Sequence, residues 1–273
     1  MKLGVSYIVF DGVELLEHSI KQIRGHVDFL QVIYQDQSWF GHPIPTESLA
    51  ELDKLKRRGL IDSLIKFTQF KPIQPGSAFR SKAYERAKRQ LGLRSCLSAG
   101  CTHYLCMDVD EFYIEDEFKK AKETVSVKRY TSTAVRFINY VNHPTLHRGY
   151  DSNSVPFICK IGPNSKMDSK FFTKCDPTRG IIPTGGGTHL FKPSDITMHH
   201  METVRKNLSL KYRSTTRALF NRSKTNELVS NIKSVKEDTK MFSFNKIIYP
   251  KTPGTQLKKV DNIFNIPYQR WQE

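Results

Sequence analysis

The chain has 273 residues, with 43 Lys+Arg against 27 Asp+Glu and a formal charge of +16. That length suits one large domain or two small ones and can bury a full core without disulfide staples. A content of 38% hydrophobic and 26% charged residues excludes collagen-like and wholly disordered chains, and no run of 18 apolar residues is present to form a membrane-spanning helix.

In chain order, the first half alternates strand and helix. Residues 3–10 form an apolar strand, and residues 13–24 carry apolar side chains at helical spacing. Residues 27–34 are a second strand, running into Gln35-Asp36, and residues 47–59 a helix stopped by glycine. Residues 61–70 are a third strand, 77–91 a long basic helix, and 103–107 a short apolar strand ending in Asp108-Val109-Asp110-Glu111-Phe112-Tyr113. This pitch predicts an α/β fold with a mostly parallel, doubly wound sheet and flanking helices. In such sheets ligands bind beyond the carboxyl ends of the strands, so Asp36 and Asp108/Asp110 are expected at one crevice.

The second half is less regular. Strands are expected at 133–141, 155–161, 169–172, 190–191 and 196–198, the last meeting His199-His200. Gly185-Gly186-Gly187 is a flexible loop without the spacing or the lysine of a P-loop. Residues 202–222 are polar and basic with helical tendency, and an irregular Lys/Ser/Asn-rich stretch follows from residue 223. Of the basic residues, 15 lie beyond residue 202 against 5 acidic ones. The expected division is therefore a catalytic region, 1–202, and a basic, helical C-terminal extension, 203–273. The five cysteines match neither zinc nor redox spacing, and with no secretory signal they are expected to be reduced thiols of a cytoplasmic protein.

Asp108-Val109-Asp110 is the sharpest chemical feature. Residues i and i+2 of a strand end point the same way, so two carboxylates there can converge on one hard cation such as Mg2+ or Mn2+, with substrate phosphates completing its shell. The order of residues 7–11, Asp36, the basic helix, the DVDEFY strand end and the later His199-His200 resembles nucleotide-sugar glycosyltransferases of the GT-A fold. The resemblance is strongest to family-2-like and phage-type members with a DxDEFY strand end, and it spans about residues 3–212. It implies that Asp108 and Asp110 hold Mn2+ or Mg2+ against the diphosphate of a nucleotide-diphospho-sugar donor, with Asp11 beside them. It also implies that Asp36 reads the nucleoside and that His200, or its rival His199, is the late metal ligand. Adjacent strand residues face opposite ways, so only one of the two histidines can reach the metal.

A leaving nucleoside diphosphate develops negative charge, for which Arg205, Lys211, Lys82 and Arg89 are the candidate cations. Asp110, Glu111 and Asp176 are the candidate catalytic carboxylates, with Asp168 and Glu202 as further candidates for the base that deprotonates an acceptor hydroxyl. Three functions follow. The first is a glycosyltransferase whose acceptor is a hydroxymethylated base in phage-type DNA, held by the basic region with its interleaved aromatics Tyr212, Phe220, Phe242, Phe244, Tyr249, Phe264, Tyr268 and Trp271, for most of which core packing is the plainer reading. The second is a glycosyltransferase that acts on a lipid-linked or polysaccharide acceptor through peripheral contact with an anionic membrane. The third is a nucleic-acid-binding protein without catalysis.

Overall fold

The alternation of the first half folds as its periodicity predicts. The structure is a computed structural model that describes residues 1–68, 78–182, 185–214, 222–242 and 254–271. In order, β1 (Leu3–Val9), α1 (Val13–Ile23), β2 (Phe29–Tyr34), α2 (Thr46–Arg57), β3 (Ser63–Lys66), α3 (Ala78–Ser98) and β4 (His103–Asp108) build the parallel part of the sheet. β1 is buried along its whole length because β2 and β4 flank it, both parallel, and helices cover both faces. Its Leu3, Val5, Tyr7 and Val9 pack with Leu16 and Ile20 of α1 in the main core, while Ser6 on the opposite face takes a hydrogen bond from Gln31. The register sets Val9 opposite Tyr34 and Ile8 opposite Asp108, so three carboxyl ends open on one crevice.

The remaining elements are β5 (Glu111–Phe112), α4 (Glu115–Lys128), β6 (Ser132–Val141), β7 (His143–Lys160), β8 (Met167–Asp168), β9 (Gly180–Ile181), β10 (Thr188–Leu190), β11 (Thr197–His200), α5 (Leu208–Ser214), α6 (Arg222–Lys233), β12 (Met241–Phe242), β13 (Thr255–Gln256) and β14 (Lys258–Lys259). A ten-stranded sheet has the order β3-β2-β1-β4-β7-β6-β11-β5, with β10 also on β6 and β14 on β7. The expected mostly parallel sheet with flanking helices is present; β5 and β7 run against the other strands, and β14 joins the sheet by an antiparallel pairing with β7.

Several boundaries differ from expectation. The basic helix runs to Ser98, because Leu93 and Cys96 continue its buried stripe past residue 91. The expected strand at 155–161 is the end of the 18-residue β7, which makes a hairpin with β6. No strand forms at 169–172, where the Lys170 N–H instead turns back onto Asp168 Oδ1. Among the described residues of 202–222 the helix is α5, with Arg222 at the start of α6, and the irregular stretch after 223 contains the rest of α6. Residues 69–70, 77 and 215–221, parts of three expected elements, lie outside the described residues.

Beyond residue 202 the chain packs on the sheet. Leu208, Tyr212, Leu228, Ile232 and Leu257 form one cluster with Val141 and Leu146, and Phe264, Ile266 and Tyr268 form another with Leu15, Phe112, Ile138 and Met201. Core packing, the plainer reading for most of the aromatics of this region, holds for those that the structure describes. Tyr212, Phe242, Phe264 and Tyr268 are buried, and Trp271 packs against the second cluster, because their apolar area is worth most inside. Phe220, Phe244 and Tyr249 lie outside the described residues. Phe264 sits 4.9 Å from the Phe112 ring and 5.0 Å from His199, centroid to centroid. Phe264→Ala is expected to cost about 3–5 kcal/mol in urea denaturation; a loss under about 1 kcal/mol would mean that the tail is only loosely seated.

Candidate active site

At the carboxyl ends of β1, β2 and β4 lies a cavity of about 320 Å³, lined among others by Asp11, Gln35, Trp39, Lys82, Lys88, Arg89, Asp108, Asp110, Asp176, Thr178, Arg205, Lys211 and Ser214. Residues from six separate stretches of chain meet here. Gly12 permits one of the closest approaches. It has a φ of +73°, and a Cβ there would stand 3.0 Å from Arg205 Nη1.

The two aspartates of the DVD segment share the cavity but not their partners. β4 ends at Asp108 and the chain turns through Val109-Asp110, so the strand-end geometry expected to align both carboxylates does not hold. Asp108 faces α3, where Arg89 Nη2 lies 3.1 Å from its Oδ1, and Arg89 is also held by Glu85 at 3.1 Å. Burial pushes the Asp108 carboxyl up, but the Arg89 and Arg179 guanidiniums outweigh it and hold it below the usual carboxylate range. Asp110 is almost fully buried. Its Oδ2 accepts from Lys211 Nζ at 3.0 Å and from Arg205 Nη2, while Arg205 Nη1 reaches Asp11 Oδ2 at 2.8 Å. Burial opposes its charge, yet Lys211, Arg205 and His200 together hold it far below the usual range.

The histidine pair divides as strand alternation requires. His199 is buried, its Nδ1 bonded to the Tyr140 hydroxyl at 2.9 Å and its ring against Phe264, and burial pushes it down to about 4. His199 is therefore not at the carboxylates, which corrects it as a metal-ligand candidate. His200 Nε2 lies 3.7 Å from Asp110 Oδ1. Asn139 gives its amide N–H to Asp151, so its Oδ1 faces His200 and accepts from Nδ1 at 2.9 Å. In the neutral ring this leaves the Nε2 lone pair toward Asp110 Oδ1, the orientation that a backing acceptor gives a metal-ligating histidine. Among the described residues no three His, Cys, Asp or Glu side chains are gathered to hold a metal. What fits is a two-donor site, Asp110 and His200, of the kind that substrate phosphates complete.

Glu111 is placed differently from its expected role as a catalytic carboxylate. Its side chain is 3% exposed, and both oxygens are taken by Arg179, which also donates to the Cys106 carbonyl at 3.0 Å. Glu111 Oε2 further accepts the Asp108 N–H at 3.1 Å. Glu111 thus ties the 176–179 segment to the DVD turn, with both of its oxygens engaged. Asp176, held there by Arg179, lies exposed at the rim of the cavity, with Oδ1 accepting from the Thr178 N–H and hydroxyl, each at 2.7 Å. Asp168 and Glu202 do not line the cavity.

Asp36 is likewise not brought in. It pairs with Lys66 at the surface, and its neighbour Gln35 lines the cavity instead, since alternation beyond β2 turns the two opposite ways. Gln35, Trp39, Lys88 and Ser214 have no counterpart among the expected site residues. Lys88 was accessible to sequence reasoning only as the neighbour of Arg89 on the basic helix. Three buried polar atoms of the cavity, Gln35 Oε1, Arg89 Nε and Ser214 Oγ, have no hydrogen-bond partner among the described residues, as expected where a polar ligand supplies it.

No family model matches the chain, and no curated protein matches its sequence. Among solved structures, TarS of S. aureus is 14% identical over 51% of this chain and 22% of its own, with a TM-score of 0.35. TarS 1–349 in complex with UDP-GlcNAc is 12% identical over 51% of this chain and 35% of its own, at 0.34. The chain thus spans about a fifth to a third of those two structures. Mannose-1-phosphate geranyltransferase from Thermus thermophilus is 11% identical over 93% of this chain and 68% of its own, at 0.32.

Lys88 is fully buried, and that burial pushes its ammonium down from 10.5 to about 8. Between those two values the unfolded chain holds a proton that the folded chain has released, so this group makes the fold more stable as pH rises from 8 toward 10.5. Lys88→Met is expected to raise the melting temperature at pH 7 and to flatten the rise in stability between pH 8 and 10; an unchanged pH profile would refute the buried charge.

Proposed function

We propose that this protein is a GT-A-type glycosyltransferase that moves a sugar from a nucleotide-diphospho-sugar donor to an acceptor hydroxyl. The supporting observation is the cavity at the ends of β1, β2 and β4, where buried carboxylates, a ring of cations and three unpartnered polar atoms meet. Such a cavity suits a ligand that is polar, anionic at one end and partly apolar at the other.

In this reading the donor diphosphate lies between Arg205, Lys211 and Lys82, whose fixed charges are already in place when negative charge grows on the leaving group. A divalent cation held by Asp110 and His200 would add Lewis-acid stabilisation of the same oxygens. Asp176, at the rim, takes the acceptor proton as the acceptor oxygen attacks the anomeric carbon and the bond to the diphosphate breaks. Glu111 and Arg179 act on Asp176 indirectly, by fixing the segment that carries it.

For the acceptor we propose a hydroxymethylated base in DNA. Exposed Lys206, Lys233, Lys236, Lys240, Lys258 and Lys259 all lie beyond residue 202 and supply the basic surface that a phosphate backbone requires. Among the described residues no helix is long and apolar enough to cross a membrane.

A screen of nucleotide sugars against hydroxymethylated DNA and simple glycans, read by mass shift, tests the whole reading. Asp176→Asn is expected to lower kcat about 10²–10⁴-fold with donor KM nearly unchanged. Asp110→Asn and EDTA are each expected to abolish donor turnover, with Mn2+ restoring the EDTA-treated wild type only. Turnover of no donor by the wild type would overturn the proposal. Retention on DNA at ~50 mM salt should be lost by ~200 mM, and preferential retention on anionic vesicles would move the acceptor to a membrane surface.

A further inference from the structure

One carbonyl oxygen, that of Val9 at the end of β1, accepts two hydrogen bonds, from the Gln35 backbone N–H at 3.3 Å and from Lys88 Nζ at 2.9 Å. This brings Gln35 and Lys88 together at one end of the cavity, which both residues line. Each is only 2% exposed. Lys88 has no carboxylate within ion-pair distance among the described residues, and Val9 satisfies one of its three N–H donors. Its Nζ lies 5.8 Å from the centre of the Trp39 ring, which itself stacks on Tyr84. The Oε1 of Gln35 is buried without a donor among the described residues. An ammonium short of acceptors and a buried amide oxygen without a donor, on two side chains that meet at the Val9 carbonyl but do not bond each other, are each unfavourable in an empty cavity and each favourable against a complementary ligand group.

We infer that Lys88 and Gln35 read the nucleobase of the donor through an oxo group beside a ring N–H, the edge presented by uracil, thymine and guanine. The inference rests on the nucleotide-sugar reading above and names the base class that it leaves open. Cytosine and adenine present the reverse order, an amino group beside an unprotonated ring nitrogen. Against them Lys88 would oppose donor to donor, and Gln35 acceptor to acceptor. Gln35 can rotate its amide to relieve its half of the mismatch, whereas the Lys88 ammonium has no acceptor in any rotamer, so Lys88 carries most of the discrimination. Glu85 and Arg89 on α3, Asp108 on β4 and Asp11 after β1 are the charged groups around it. The three carboxylates favour its charge, while burial and Arg89 oppose it. Trp39 provides an apolar wall beside the base.

The test is calorimetric binding of UDP, GDP, CDP and ADP to the full-length wild type in the presence of Mn2+. UDP and GDP are expected to bind at least about tenfold more tightly than CDP and ADP, and N3-methyl-UDP, which lacks the ring N–H, about tenfold more weakly than UDP. Equal binding of all four diphosphates overturns this inference and leaves the glycosyltransferase reading standing; binding of none overturns both. Lys88→Met is expected to bring the UDP:CDP affinity ratio close to one by weakening UDP and strengthening CDP. A merely structural Lys88 would instead weaken both nucleotides alike. The wild-type panel decides the matter even if that variant does not fold.

Discussion

Four carboxylates, Asp11, Asp108, Asp110 and Glu111, stand at strand ends around one crevice, with Asp110 and Glu111 the most buried acidic groups among the described residues. Removing such charges from water carries a penalty of several kcal/mol each unless a well-placed cation and hydrogen bonds offset it. The chain meets that constraint with cations drawn from distant segments: Arg89 from α3, Arg179 from the loop before β9, and Arg205 and Lys211 from the region after β11. Much of the architecture around the crevice follows from this need. Arg205 bridges Asp11 and Asp110 and so joins the β1–α1 turn, the DVD turn and the start of the C-terminal region at a single guanidinium.

The same pairing changes the meaning of the chain's positive charge. Several of its cations are internal partners of these carboxylates rather than a surface awaiting a polyanion. Lys88 is a different case, a buried ammonium with a carbonyl and an aromatic ring as neighbours. Exposed cations occur along the whole chain, and those beyond residue 202 sit on segments whose apolar side chains are anchored in the same cores as the sheet. The regions before and after residue 202 are therefore joined by packing as well as by chain connectivity.

Strand and helix in the first half were legible because a parallel strand buried on both faces leaves an unbroken apolar run, as in residues 3–9, and an amphipathic helix leaves spacing, as in 13–23. α4 was missed because Phe118, Ala121 and Val125 form too sparse a stripe among its charges. The 18-residue β7 was read only at its apolar end, since the part near the hairpin is polar and half-exposed. The DVD segment was found through an acidic pair after an apolar run, but the turn that separates the two side chains leaves no mark in the sequence.

By itself, the sequence determined that a parallel α/β sheet forms, that acidic groups gather at its strand ends, and that only one of His199 and His200 faces them. These depend on periodicity and nearest neighbours along the chain. Only the tertiary structure decided that Arg179 takes both oxygens of Glu111, that Gln35 and not Asp36 enters the cavity, and that Lys88 lines it. Those outcomes depend on which cation, from a segment tens of residues away or more, arrives at each carboxylate, and on which neighbour a strand end turns inward. Local spacing cannot carry either fact, because burial and charge compensation are properties of the assembled site.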